Sequence, residues 1–158
     1  MKLFHGSYSS IAPVIKIGAN AMSGDNLFDG LFASADREIA DSHGGLENSI
    51  HCYEVSNIAE SSDLNARIDE VIAFLYTEIE AESDVLEALA YAIADDEETD
   101  EFNDVLSPRS FADHQGAFSW ELQRLRGRVA AHLGFDAVEM SDEHGISYLI
   151  VNPKITAR

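Results

Sequence analysis

Short apolar runs bounded by glycine, proline and serine open and close this chain, and between them apolar positions recur at helical spacing. Residues 1–57 read as strands and loops. KLFHGSYS begins as an apolar strand and is expected to turn at Gly6 and Ser7; IAPVIKIG carries a proline and ends at Gly18. The loop ANAMSGDNLFDG follows, then a short strand in GLFAS. ADREIADSHGG predicts a short helix starting near Ser34 or Asp36 and ending near Gly44, and IHCYEV alternates about Cys52 and Val55 as a further strand.

The period then changes. Ile68, Val71, Ile72 and Leu75 fall at i, i+3, i+4 and i+7, and Val85, Leu86, Leu89 and Ile93 repeat a helical stripe. From Ile58 to Val105 there are 16 Asp and Glu against one base, Arg67, so these helices have strongly acidic outer faces. ADDEETDEFND reads as a solvated loop or helix end. FSWELQRLRGRVAAHLG is the clearest helix, with Ser119 as the expected N-cap, Leu122, Leu125, Val129, His132 and Leu133 on one face, and Gly134 as terminator. Arg124, Arg126 and Arg128 make it the most basic segment.

AVEMSDEHGISYLIVNP closes the chain as a hairpin. Val138 and Met140 share one side of its first strand; Tyr148 and Ile150 lie on one face of the second, Leu149 and Val151 on the other. Asp142, Glu143 and His144 stand between, either as an ordinary polar turn closed by Gly145 or as a catalytic carboxylate at a strand edge. Strands, acidic helices, one further helix and strands again predict an α+β fold with the terminal strands in one small sheet. No linker divides residues 1–158, so one domain is expected.

Composition narrows the function. A chain of 158 residues that is 46% hydrophobic and 9% aromatic can bury a core. No run approaches a membrane span, and the N-terminus lacks an apolar stretch of signal-peptide length. The single cysteine, Cys52, excludes an internal disulfide and a cysteine-rich zinc site. These features favour the cytoplasm. A net charge of −19 repels phosphate backbones, which argues against direct nucleic-acid binding. The charge either confers solubility alone or directs the protein toward a basic partner.

Three groups can carry chemistry. In LFHGS, His5 and Gly6 leave a strand, and the absence of a Cβ at Gly6 lets backbone approach a ligand. In GLFASADREIADSHG, Phe32 is either core or one wall of a slot for a flat ring. The third group is the carboxylate pair of SDEHG. No compact His spacing, EF-hand, Walker A, dinucleotide fingerprint or nucleophile elbow occurs, and no metal is expected.

Taken together, LFHGSY, GLFAS with its later SHG, and WELQRLRG with LGFDAVEMSDEHG resemble a phage-encoded anti-CRISPR ADP-ribosyltransferase family. The resemblance covers residues 2–18, 29–44 and 119–150. It implies the small split β-sheet of the ADP-ribosyltransferase type, here carrying an acidic helical segment at about 58–105. It also implies NAD as ADP-ribose donor, transfer to a host protein and release of nicotinamide. On this resemblance Asp142 is the catalytic choice and Glu143 the next, because one residue along a strand reverses the face. His5 is expected to hold a ribose hydroxyl, Gly6 and Ser7 to line the donor site, Phe32 to flank the nicotinamide and Ser34 to contribute a hydroxyl. His43 and Arg124 are further candidates near the donor.

Two positions depart from the pattern: Asp142 stands where most transferases of this fold have Glu, and Phe32 where many have Tyr. The shorter carboxylate requires a closer backbone, whereas Phe32 keeps the stacking face without the hydroxyl. The implied partner is a basic, nucleic-acid-binding subunit of a type I CRISPR surveillance complex in the host bacterial cytoplasm. A non-enzymatic acidic nucleic-acid mimic and an NAD glycohydrolase or toxin are the competing expectations.

Overall fold

The computed structural model describes residues 1–18, 21, 23, 29–42, 49–108, 116–142 and 145–158. Among these the chain is α+β, as the order of its patterns predicts. Its elements run β1 (Lys2–Ser7), β2 (Leu31–Ala33), α1 (Arg37–Ser42), β3 (Ser49–Glu54), β4 (Ile58–Ala59), α2 (Ser61–Ala66), α3 (Ile68–Glu78), α4 (Ser83–Ala94), α5 (Ala117–His132), β5 (Ala137–Asp142) and β6 (Gly145–Ile150).

The strands form two sheets. β1 and β3 make an antiparallel ribbon, from Lys2 opposite Glu54 to Ser7 opposite Ser49. The other sheet has the order β2-β6-β5-β4, with β4 parallel to β5 and the other pairs antiparallel. Reciprocal backbone bonds between Phe4 and Ser34, both 2.8 Å, tie the two sheets at one point, so the β-structure is split there.

The central strand β6 faces apolar material on both sides, as its sequence predicts. Leu149 and Val151 join Val138, Met140 and the buried residues of α2–α5 in the larger core. Tyr148 and Ile150 join Leu3, Leu31, Tyr53 and Val55 in the smaller one, between the sheets. The order is therefore helices α2–α5, four-stranded sheet, two-stranded ribbon, with α1 against β1 and β3. Gly127 lets α5 settle on this sheet: a Cβ there would come within 2.4 Å of the Leu149 side chain.

Two local expectations shift, and two short elements carry no mark in the sequence. β1 continues through Gly6 and Ser7, because pairing with Ile50 and Ser49 overrides the local turn preference. The short elements β4 and α2 carry too few residues to show a period. Helix α5 starts ahead of Ser119: Gly116, with φ +88°, is its N-cap, and its carbonyl already accepts the Trp120 N–H at 2.9 Å. Ser119 is thus in the first turn.

The helix ends matter most for the site. At α5, Gly134 adopts φ +88° just past the cap, with Gly134 N–H bonded to Ala131 O and Phe135 N–H to Ala130 O. At α4 the same pair of bonds forms, from Asp96 N–H to Ile93 O and from Glu97 N–H to Ala92 O. Here the left-handed position is taken by Asp96, with φ +56°. That conformation costs an L-residue about 1–2 kcal/mol, though Asp is among the more tolerant. The Asp96 carboxylate offsets this by accepting the Ser141 N–H at 2.7 Å, which joins the end of α4 to β5 one residue before Asp142.

Candidate active site

A cavity of about 380 Å³ opens where the sheet splits. β1 contributes His5 and Gly6 to it, β2 contributes Phe32, and Ser34 follows from the same strand. β5 brings Asp142, β6 brings Ser147, and α5 brings Trp120 and Gln123. Residues 5, 6, 32, 34 and 142 thus converge from three strands far apart in sequence.

Each is positioned by local rules. The His5 Nδ1 lies 2.7 Å from the Phe32 carbonyl oxygen, which can only accept, so Nδ1 carries a proton and donates it. This bond spans the split next to the Phe4–Ser34 bridge. The buried Ser34 Oγ accepts the Asp36 N–H at 3.0 Å, and Asp36 Oδ1 accepts the Glu38 N–H at 2.8 Å, which caps α1. Asp142 follows Val138 and Met140 at alternate positions on β5, so it prolongs the α5-facing side of the strand beyond its apolar part. It is solvent-exposed. The Ser147 Oγ is buried without a hydrogen-bond partner, a polar group left for a ligand in this cavity.

The other expected residues are placed differently. Ser7 is buried one position beyond Gly6; its Oγ accepts the Ser9 N–H at 3.1 Å, and the residue does not line the cavity. Arg124 also lies off the cavity. Its Nε donates to both Glu121 carboxylate oxygens at 3.1 and 3.0 Å, and Nη1 lies 3.7 Å from the buried Asp29 carboxylate. Burial disfavours its charge, but the Glu121 bond together with the charges of Glu121, Asp29 and Glu78 outweighs this and raises its pKa. Glu143, His43 and His144 fall outside the described residues.

Two lining residues stand out only in the fold. Trp120 and Gln123, three apart on α5, share one helix face and meet the cavity together. The i, i+3 spacing inside WELQ is the one signal for them in the sequence.

The lining suits a flat polar ligand attached to a sugar: aromatic walls at Phe32 and Trp120, hydrogen-bonding groups at His5 and Ser147, and a carboxylate at Asp142. Among the described residues no group of three or more His, Cys, Asp or Glu is arranged to hold a metal ion. Nor is any helix among them long and apolar enough to cross a membrane.

A sheet split between β1 and β2, with a cavity opening at the split, is the architecture expected of an ADP-ribosyltransferase. The family model described as Anti-CRISPR Type I-F ADP-ribosyltransferase AcrIF11 matches residues 1–158, and the chain belongs to that family. The chain is also similar to a solved structure described as "Crystal structure of an anti-CRISPR protein", with 32% sequence identity and a TM-score of 0.66. That similarity covers 100% of this chain and 93% of the other. Among curated proteins none matches. The family assignment makes the protein an NAD-dependent ADP-ribosyltransferase with an anti-CRISPR function.

Proposed function

We propose that the protein inactivates a subunit of a type I CRISPR surveillance complex by transferring ADP-ribose to it, using the cavity at the sheet split to hold the nicotinamide end of NAD. The observation that carries this reading is the convergence of His5, Gly6, Phe32, Ser34 and Asp142 on that cavity.

In this reading Phe32 and Trp120 flank the nicotinamide ring, and the backbone at Gly6 meets its amide. His5 holds a ribose hydroxyl, its ring positioned by the bond to Phe32 O. Asp142 is the catalytic carboxylate: breaking the nicotinamide–ribose bond builds oxocarbenium-like positive charge, which its negative charge stabilises and orients. Glu143, the next carboxylate in the sequence, and His43, a further donor contact, follow from the family resemblance alone. Ser34 contributes its hydroxyl. Ser7 acts through the β1 end that carries Gly6. Arg124, whose Nε donates to Glu121, stands behind the cavity lining and not in it. The target is a basic nucleic-acid-binding subunit, met in the host bacterial cytoplasm and approached through the attraction of a chain with net charge −19.

The test is nicotinamide release from NAD with and without host extract, comparing the wild type with Asp142→Ala. Release that needs the extract and disappears in the variant is the expected result. Equal release without extract identifies water as the acceptor and a glycohydrolase. A fully active Asp142→Ala protein overturns the site.

A further inference from the structure

A second, larger cavity of about 730 Å³ adjoins the first and shares Trp120, Gln123 and Asp142 with it. Its wall includes apolar Ala92, Ile93 and Leu122, and its acidic edge is Asp96, Glu97 and Glu98 from the turn after α4. We propose that this cleft is the acceptor subsite, receiving a lysine- or arginine-bearing segment of the protein to be modified. The inference rests on the proposed donor site next door.

Position makes the first argument. An acceptor must reach the ribose carbon beside the catalytic carboxylate while the donor fills its own cavity. Asp142 lines both spaces, so a group entering the larger one arrives next to the reacting atoms without displacing the ring between Phe32 and Trp120.

Charge makes the second. Among the described residues four carboxylates line the cleft, at Asp96, Glu97, Glu98 and Asp142, against one cation, Arg126. Arg126 is 2% exposed, and its Nη1 donates to the carbonyls of Ile93 and Ala94, both at 2.7 Å. Its Nε donates to Glu139 O at 3.0 Å. The guanidinium is therefore engaged by the protein itself, and the cleft presents net negative charge to an entering group. The diphosphate of NAD is repelled by such a surface, whereas a cationic peptide is attracted.

Shape makes the third. The acidic edge is not a frayed tail: Asp96 is fixed in its left-handed conformation by the Ser141 N–H, and Glu97 N–H closes the helix end on Ala92 O at 2.9 Å. The turn carrying the three acids is thus held at a set distance from β5, and hence from Asp142 at its end.

Trp120 is the only tryptophan of the chain and faces both cavities, so its fluorescence reports either ligand. The experiment titrates NAD and a hexalysine peptide separately into three full-length proteins: wild type, Glu97→Lys/Glu98→Lys, and the charge-matched control Asp69→Lys/Glu87→Lys. The control changes two exposed acids of α3 and α4 that do not line the cleft. The expected result is at least a tenfold loss of hexalysine affinity in the cleft variant, at most a twofold loss in the control, and NAD affinity within twofold of wild type in both. Equal losses in the two variants overturn the proposal, since the peptide then senses only overall charge. A large gain in NAD affinity in the cleft variant also overturns it, by assigning the cleft to the donor diphosphate. Absence of NAD binding in the wild type removes the donor site and this inference with it; NAD binding with unaltered hexalysine affinity removes only the acceptor subsite.

Discussion

Asp142 reaches both cavities because it is the last residue of β5, where the strand runs past the apolar core and its side chain is exposed. Replacing it should therefore cost chemistry and not folding. Asp142→Asn keeps the volume but removes the charge, and transfer should fall by about 10²–10³, the range seen when one electrostatic group is taken from a transition state. Nicotinamide release gives the rate, and an unchanged melting curve shows that the fold is intact. His5 predicts a different signature. Its ring bonds the Phe32 carbonyl at 2.7 Å and lies beside the proposed ribose position, so His5→Ala should raise KM for NAD about tenfold with kcat changed only a few-fold. Steady-state kinetics separates the two parameters; an unchanged KM would remove His5 from the donor site. The family resemblance singled out both residues in the sequence; the strand pattern alone also allowed a structural histidine and an ordinary polar turn. Gln123 was not, although its neighbour Arg124 stood out. One residue turns a helix by about 100°, and a guanidinium draws the eye more than an amide. Only the packing of α5 on Leu149 and Val151 decides which of the two faces the cavity.

At the scale of elements, the joints between helices and strands carry the site. The α4–β5 joint is Asp96. Asp96→Ala loses the acceptor for Ser141 N–H and keeps the left-handed strain, so it should lower stability by about 1–3 kcal/mol. Asp96→Asn retains a side-chain oxygen and the tolerance for this conformation, and should lie between Ala and wild type in urea unfolding. The β4–β5 joint is Asp136, whose Oδ2 accepts the N–H groups of Ser56 and Asn57 at 3.0 and 3.1 Å while Oδ1 accepts from Asn152 Nδ2 at 2.8 Å. Burial tends to raise its pKa, but the bonds from Asn152, Ser56 and Asn57 outweigh that and hold it below the usual carboxylate range. A depressed folded-state pKa stabilises the fold above the unfolded value of about 3.9 and loses that contribution as pH falls through the folded value. Asp136→Asn should therefore weaken the protein at neutral pH and flatten the acid limb of its stability curve, read by urea midpoints from pH 7 to pH 2. The long elements were legible from periodicity: the stripes of α3, α4 and α5 and the alternation of β5 and β6 all appear. These joints were not, because a capping aspartate in an acidic loop looks like its neighbours until its partner strand is known.

The whole molecule sets an acidic helical segment against a split sheet, and the two are joined through a buried cation. The sequence patterns showed the segment and its charge but not its seat, since amphipathic stripes say that a face is buried and not against what. Arg126 supplies the missing contact. From α5 it reaches the carbonyls of Ile93 and Ala94 at the end of α4, Glu139 O on β5, and Ser61 Oγ on α2 at 3.2 Å. Two of these oxygens belong to the last turn of α4, which lacks partners within its own helix. Burial lowers the Arg126 pKa, and the charges of Asp96, Glu139 and Asp95 act in the opposite direction. Removing the side chain leaves those carbonyls and the Asp96 carboxylate without their cation. Arg126→Ala should cost about 3–5 kcal/mol, as loss of one partner of a buried ionic contact does. At about 2–4 °C per kcal/mol for a chain of this size, that is a fall in Tm of roughly 6–20 °C. If Arg126 instead only fills space, Arg126→Met should recover most of the loss, because methionine replaces the stem but donates no hydrogen bond. A thermal melt of the two variants decides: a cation that joins helices to sheet through its hydrogen bonds requires Arg126→Met to stay close to Arg126→Ala.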